Sequence, residues 1–341
     1  MMLPKISLII PTFNAKDYLP RAINSLLNQS FGFENIELLL VDDNSTDGTQ
    51  NIILDLANKY DNVKPILCKE NSGSPSQPRN IGVKHASADY VMFMDNDDIF
   101  FPEMCEVMYS TIIKYDADVV NCRHKVIDDY GNIIQEKSFL DKRELIINVE
   151  DVDEYPDIMS SGLTMLIWNK IFKKSVILDN KIEFPSEDLY EDVYFMSQVY
   201  LKAQGIVLLN DFWGYGYYIR TEGDNKSTSQ NFLLKNLIKQ FNGLRKIIKL
   251  LNNYDKKYPA LEGGMIVGWT KLFILTNPND EDKRVLLNKA KPIYEHYKIG
   301  YRLIRVNILL NIFINIFIKI FSSNITFAIF LTNFYNKLKN L

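Results

Sequence analysis

A chain of 341 residues, 47% hydrophobic and 24% charged, can bury a large core and is too apolar to stay disordered. Its formal net charge of -3 argues against nucleic acid as a partner and favours small molecules. Three widely spaced cysteines, Cys68, Cys105 and Cys122, form no CxxC pair, and with His85, His124 and His296 as the histidines there is no HExxH motif, no zinc cage and no well-supported Ser-His-Asp triad.

The apolar run Ile6–Ile10 is stopped by Pro11, too early for a signal-peptide core, and no cleavage region follows. The catalytic part is therefore expected in the cytoplasm, at the inner face of the cell membrane if the tail described below engages lipid. Strands are predicted at Ile6–Ile10, Glu37–Val41, Val63–Cys68, Tyr90–Met94 and Asp118–Asn121. Helices are predicted between them, at Tyr18–Asn28, Thr49–Tyr60, Pro78–His85 and Glu103–Tyr115. Such alternation implies an α/β fold, a mostly parallel sheet with helices on both faces, whose ligands bind at the carboxyl ends of the strands. Three loops there are polar: Pro11-Thr12-Phe13-Asn14, Asp42 to Asp47, and Asp95-Asn96-Asp97-Asp98.

A hairpin is expected around Asp129-Tyr130-Gly131-Asn132, then an irregular polar stretch to about Gly162. Leu234, Leu237, Ile238, Phe241, Leu244, Ile248 and Leu251 recur at helical spacing. The divisions expected are a catalytic domain over 1–230, a helical region over 231–300 and a C-terminal tail over 301–341. That tail has no Asp or Glu, and Asn307, Asn311, Asn315 and Lys319 fall four apart amid Ile, Leu and Phe. On a helix they draw a polar stripe across an apolar surface, suited to peripheral contact with a membrane or to a homo-oligomer interface.

Neither GxGxxG nor GxxxxGK[ST] follows the first strand, so a diphosphate would need another holder. The acidic run supplies one, because Mg²⁺ or Mn²⁺ is commonly held by one or two carboxylates and completed by phosphate oxygens. Asp97 is the expected ligand of the metal. Asp95 would face the donor's ribose or share the ion through water, and Asp98 would cap the helix after Pro102. The plainer role of such acids is turns and caps, but three carboxylates in four residues repel one another without a cation. Asp43 suits a hydrogen bond from a base or ribose, while Asp47 or Ser45 caps the next helix. An EF-hand is excluded because its twelfth position is Leu54.

Four segments together, Ile6 to Asn14, Val41 to Asp47, Asn71-Ser72-Gly73-Ser74-Pro75-Ser76-Gln77-Pro78-Arg79-Asn80 and Phe93 to Asp98, resemble the family 2 glycosyltransferases of GT-A fold over about residues 5–225. The stretch 71–80 is similar to enzymes of capsular and teichoic-acid synthesis. The resemblance implies that Pro11, Phe13 and Asp43 surround the nucleobase, that Asn71 and Arg79 hold the nucleotide, and that Asp95 and Asp97 are the DxD acids. It also implies UDP as the carrier, and it makes Asp192 of the Glu191-Asp192 pair the general base of an inverting displacement. A helix N-terminus is the plainer role for that pair. Contacts to sugar, acceptor or diphosphate fall on Glu191, Trp168, Arg220 and Lys226, although aromatic residues at this density are more often core. The function expected is sugar transfer from a nucleotide-sugar donor to a glycan or lipid-linked acceptor. Nucleotidyl transfer and a non-catalytic, membrane-associated subunit of glycan assembly are the alternatives.

Overall fold

The computed structural model describes residues 3–128, 130–136, 144–148, 164–186, 190–219, 234–253 and 278–296, with Trp269, Phe273 and Thr276. The chain divides into two compact units, Met1–Ser227 and Thr228–Leu341.

The first unit is built on β1 (Ile6–Thr12), β2 (Ile36–Asp42), β3 (Val63–Leu67) and β4 (Tyr90–Phe93), with α1 (Leu19–Leu27), α2 (Thr49–Lys59) and α3 (Ser76–His85) between them. Every residue of β1 and β2 is buried, as two-sided packing demands. Their polar residues satisfy one another: Ser7 lies opposite Glu37 in the parallel register and donates to it at 2.5 Å, and Glu37 also accepts the Ser87 amide and hydroxyl. On α1 the buried face is Leu19, Ala22, Ile23 and Leu26, the i, i+3, i+4, i+7 stripe of an amphipathic helix. On α3, Gly82 crosses β1 so closely that any Cβ would run into the Ile9 side chain.

Strand order is β3-β2-β1-β4-β9-β6-β10-β5, with β7 on β6 and β8 on β10. The pairs β3-β2, β2-β1 and β1-β4 are parallel, as expected from the alternation. Because the chain steps outward from β1 to β3 and returns to β1's other side at β4, the order reverses between β1 and β4, and a crevice is expected there. Beyond β4 the sheet is mixed. β9 (Lys170–Lys173) runs antiparallel between β4 and β6 (Val119–Ile127), and the long β10 (Gly205–Tyr218) pairs parallel with β6 and antiparallel with β5 (Ile99–Phe100). Of the remaining helices, α4 (Met104–Tyr115) precedes β6, α5 (Lys174–Asp179) follows β9, and α6 (Glu191–Lys202) precedes β10.

The expected hairpin is present: β6 and β7 (Ile133–Glu136) are antiparallel, and Asp128 accepts the Tyr130 and Asn132 amides across the turn. The stretch expected to be irregular up to Gly162 needs correction, because Glu144–Asn148 forms β8 on the edge of β10. Its run is only five residues long, too short to show a period. In the second unit α7 (Leu234–Asn252) buries Leu237, Phe241, Leu244, Ile247 and Ile248, Trp269 packs between Phe241 and Phe273, and α8 is Asp280–His296. The tail from residue 301 lies outside the described residues.

Candidate active site at the strand ends

Because β1, β2 and β4 are parallel neighbours, their three polar loops share one edge of the sheet. At the end of β1, Pro11 is buried and its carbonyl accepts Asn96 Nδ2 at 2.9 Å, whereas the Phe13 side chain just beyond the strand stands 48% exposed. After β2, Asp42 is consumed inside the loop by Ser45, Thr12 and Gln50. Asp43, 4% exposed, accepts the amide and the hydroxyl of Ser72. The expectation that Asp47 or Ser45 caps α2 is corrected: Gly48 stands at the N-cap with no side-chain cap, and Asp47 accepts the Thr49 amide at 2.9 Å from just outside the helix. Asn71 closes its own turn by accepting the Gly73 amide at 2.6 Å.

Arg79 gathers the acids. Its side chain is 4% exposed, and it reaches Asp95 at 2.9 Å through Nη2, Asp192 at 2.9 Å and Glu191 at 3.4 Å through Nη1. It sits on α3, while Glu191 and Asp192 open α6, whose preceding residue Tyr190 takes the left-handed conformation at φ 72°. Residues more than a hundred positions apart thus meet in one cluster. Burial opposes the guanidinium's charge, yet Asp192, Asp95 and Glu191 carry its pKa above the ordinary value. Burial pushes the Asp192 carboxyl up to about 7, Glu191 and Asp95 adding to the rise while Arg79 and Lys170 oppose it. A carboxyl with that pKa can hold or release a proton near neutrality, as a general base must.

Asp97 and Asp98 diverge. The Asp97 carbonyl accepts Arg21 Nη2 at 2.5 Å, and the guanidinium lies 3.4 Å from the centre of the Tyr218 ring. Asp98 is fully buried and accepts Tyr215 Oη at 2.5 Å and the Tyr218 amide at 2.8 Å. The expectation that it caps the helix after Pro102 is corrected: α4 has no side-chain cap, and Asp98 faces β10 instead. Burial raises its pKa well above the usual carboxylate value, with Asp97 and Asp95 adding to the shift. Asp97 is half-buried beside Asp95. Among the described residues no three His, Cys, Asp or Glu side chains form a protein-only cage. One or two strand-end carboxylates fit a hard cation whose shell is finished by phosphate oxygens.

Trp168 is 5% exposed and stacks on Tyr215 at 4.2 Å and on Tyr217 at 5.7 Å, so its ring is part of the packing. Below it Lys170 is fully buried and donates to Thr164, Leu166 and Asn169; burial holds its pKa well below the usual lysine value. Arg220 and Lys226 lie outside the described residues. The sequence reading did not single out Arg21 or Tyr215. Tyr215 lay in the aromatic segment from Trp213 to Tyr218, but no spacing marks a hydroxyl that meets a loop a hundred residues away.

The sequence profile of glycosyl transferase family 2 matches residues 7–172. A poly(ribitol-phosphate) beta-glucosyltransferase of Bacillus spizizenii is 31% identical over 66% of this chain and 34% of its own length. Glycosyltransferase GlyG of Streptococcus pneumoniae is 30% identical over 60% of this chain and 68% of its own length. The chain spans about a third of the length of the first curated relatives it matches. The crystal structure of Staphylococcus aureus TarS 1-349 with UDP-GlcNAc shares the fold, with a TM-score of 0.71 at 22% identity over 98% of this chain and 92% of that one. With that profile match and a 30%-identical glycosyltransferase covered over 68% of its own length, the chain belongs to glycosyl transferase family 2.

Proposed function

We propose that the chain transfers a sugar from a nucleotide-diphosphate donor, a UDP-sugar, to a hydroxyl of a cell-surface glycan or lipid-linked acceptor, with inversion at the anomeric carbon. The observation that carries this reading is Arg79 joining Asp192 to Asp95, which puts a carboxyl poised near neutrality beside the strand ends where a donor would lie. Asp192 takes the proton of the acceptor hydroxyl as that oxygen attacks the face opposite the leaving nucleoside diphosphate. One displacement then inverts the centre. Arg79 keeps Asp192 turned toward the donor side, and Asp95 and Asp43 receive the nucleoside.

Asp97 would hold Mn²⁺ or Mg²⁺ with the donor's phosphates, and the ion would neutralise charge on the departing diphosphate. The names of the relatives support a polyol-phosphate polymer as acceptor. Calorimetry and donor turnover test the assignment together. Asp192→Asn is expected to bind UDP with Mn²⁺ like the parent and to lose transfer by about a thousandfold, within the range of general-base contributions. Asp97→Asn is expected to weaken nucleotide binding. Unchanged turnover in either variant would sink the assignment.

A further inference from the structure

Gly214-Tyr215-Gly216 runs beside β5, the two-residue strand that continues the acidic loop, with Tyr215 opposite Phe100 and Gly216 opposite Ile99. Both glycines are required by close approach. A Cβ at 214 would collide with Met104 Sδ, and one at 216 would stand 2.6 Å from Ile99 Cγ1 and from Ile127 Cδ1. Tyr215 itself is fully buried, stacked on Trp168 and edge-on to Phe100 at 5.6 Å. Its ring cannot move, so its hydroxyl is a fixed point. That hydroxyl accepts the Asp95 amide at 3.3 Å and donates to Asp98 Oδ2 at 2.5 Å, while Asp98 Oδ1 accepts the Tyr218 amide. The two ends of the acidic turn are therefore tied to one oxygen atom, and Asp98 N–H donates back to the Asp95 carbonyl at 3.2 Å.

We propose that Tyr215 is a positioning residue of the transfer site: its hydroxyl sets the Asp95–Asp98 turn so that Asp95 meets Arg79 and Asp97 is held half-buried on the donor side of the turn. Three acidic side chains crowd this turn, and that of Asp98 is buried. Without the hydroxyl, Asp98 keeps the Tyr218 amide as donor, and a buried carboxyl oxygen left without a partner draws its loop toward water. The turn would open, and Asp95 and Asp97 would move with it.

The inference rests on the glycosyl-transfer reading, and its test separates the two. Full-length chain is titrated with UDP, GDP and CDP in Mn²⁺ by calorimetry, alongside Tyr215→Phe, Asp98→Asn and Phe100→Leu. Tyr215→Phe is expected to unfold cooperatively, to bind the preferred nucleotide about tenfold more weakly, and to raise donor KM more than it lowers kcat. Phe100→Leu removes packing from the same ring and leaves both hydroxyl bonds, so it is expected to lower the unfolding midpoint without changing affinity. If Tyr215→Phe does not fold, Asp98→Asn carries the test, with weakened binding again expected because one of the two carboxyl oxygens that accept Tyr215 Oη and the Tyr218 amide becomes a donor. Parental affinity in the folded variant, or equal weakening by Phe100→Leu, overturns the proposal. A parent chain that binds none of the three nucleotides overturns the glycosyl-transfer reading, and this inference falls with it.

Discussion

Arg79 is one buried cation among three carboxylates, and that imbalance sets the behaviour of the base. Since Asp192 takes a proton only when ionised, transfer is expected to rise with pH through about 7, readable as the acidic limb of kcat/KM, which reports the free enzyme. Arg79→Met removes the strongest influence holding that pKa down, so the limb should move to higher pH while overall turnover falls; a limb that stays in place contradicts the cluster's role. Stability follows with the opposite sense. The native state binds the Asp192 proton more tightly than the unfolded chain, whose carboxyl titrates near 3.8, so this group's contribution is full below that value and is lost as pH rises through 7.

Among the elements, α3 is held against β1 by the absence of a side chain. Replacing Gly82 with Ala gains up to about 1 kcal/mol of helix propensity but forces a methyl into Ile9, an overpacking of about 1–3 kcal/mol. A net loss of about 1 kcal/mol is expected, measurable as a lower midpoint in chemical denaturation. The early elements were legible in sequence because each carries a strong signal: β1 and β2 are apolar runs interrupted only at Ser7 and Glu37 before their polar ends, and α1 shows its stripe. β10 was not, since Asn210 and Asp211 interrupt its apolar run and its pairing with β6 shifts register between Leu208 and Trp213 and again before Tyr215. β5, with two residues, has no period at all. Asp95, Asp97 and Asp98 were legible for the same local reason, as carboxylates crowded at a strand end, whereas Asp192, at a helix start, was singled out only through the family resemblance. The partners that orient them, Arg79 between α3 and α6 and Tyr215 under the acidic turn, exist only through contacts made by the folded sheet.

At the scale of the whole molecule, the main core runs from Ile6 to Tyr215, and Phe241, Trp269 and Phe273 close a cluster in the second unit. A chain ending at Ser227 is therefore expected to unfold cooperatively and to bind nucleotide within about threefold of the full chain, a change of less than 1 kcal/mol. Loss of binding on that truncation, measured by calorimetry, would contradict the assignment of the donor site to the first unit.

The grip of Asp43 on Ser72 has a thermodynamic consequence. Its carboxylate already accepts an amide and a hydroxyl from the loop after β3. On the proposed reading, a base or ribose meets a carboxylate that this loop has already oriented and that keeps lone pairs for further donors, so recognition there costs little reordering of the chain. Selectivity among nucleotides would then fall to shape and stacking, for which the exposed ring of Phe13 is placed at the end of β1.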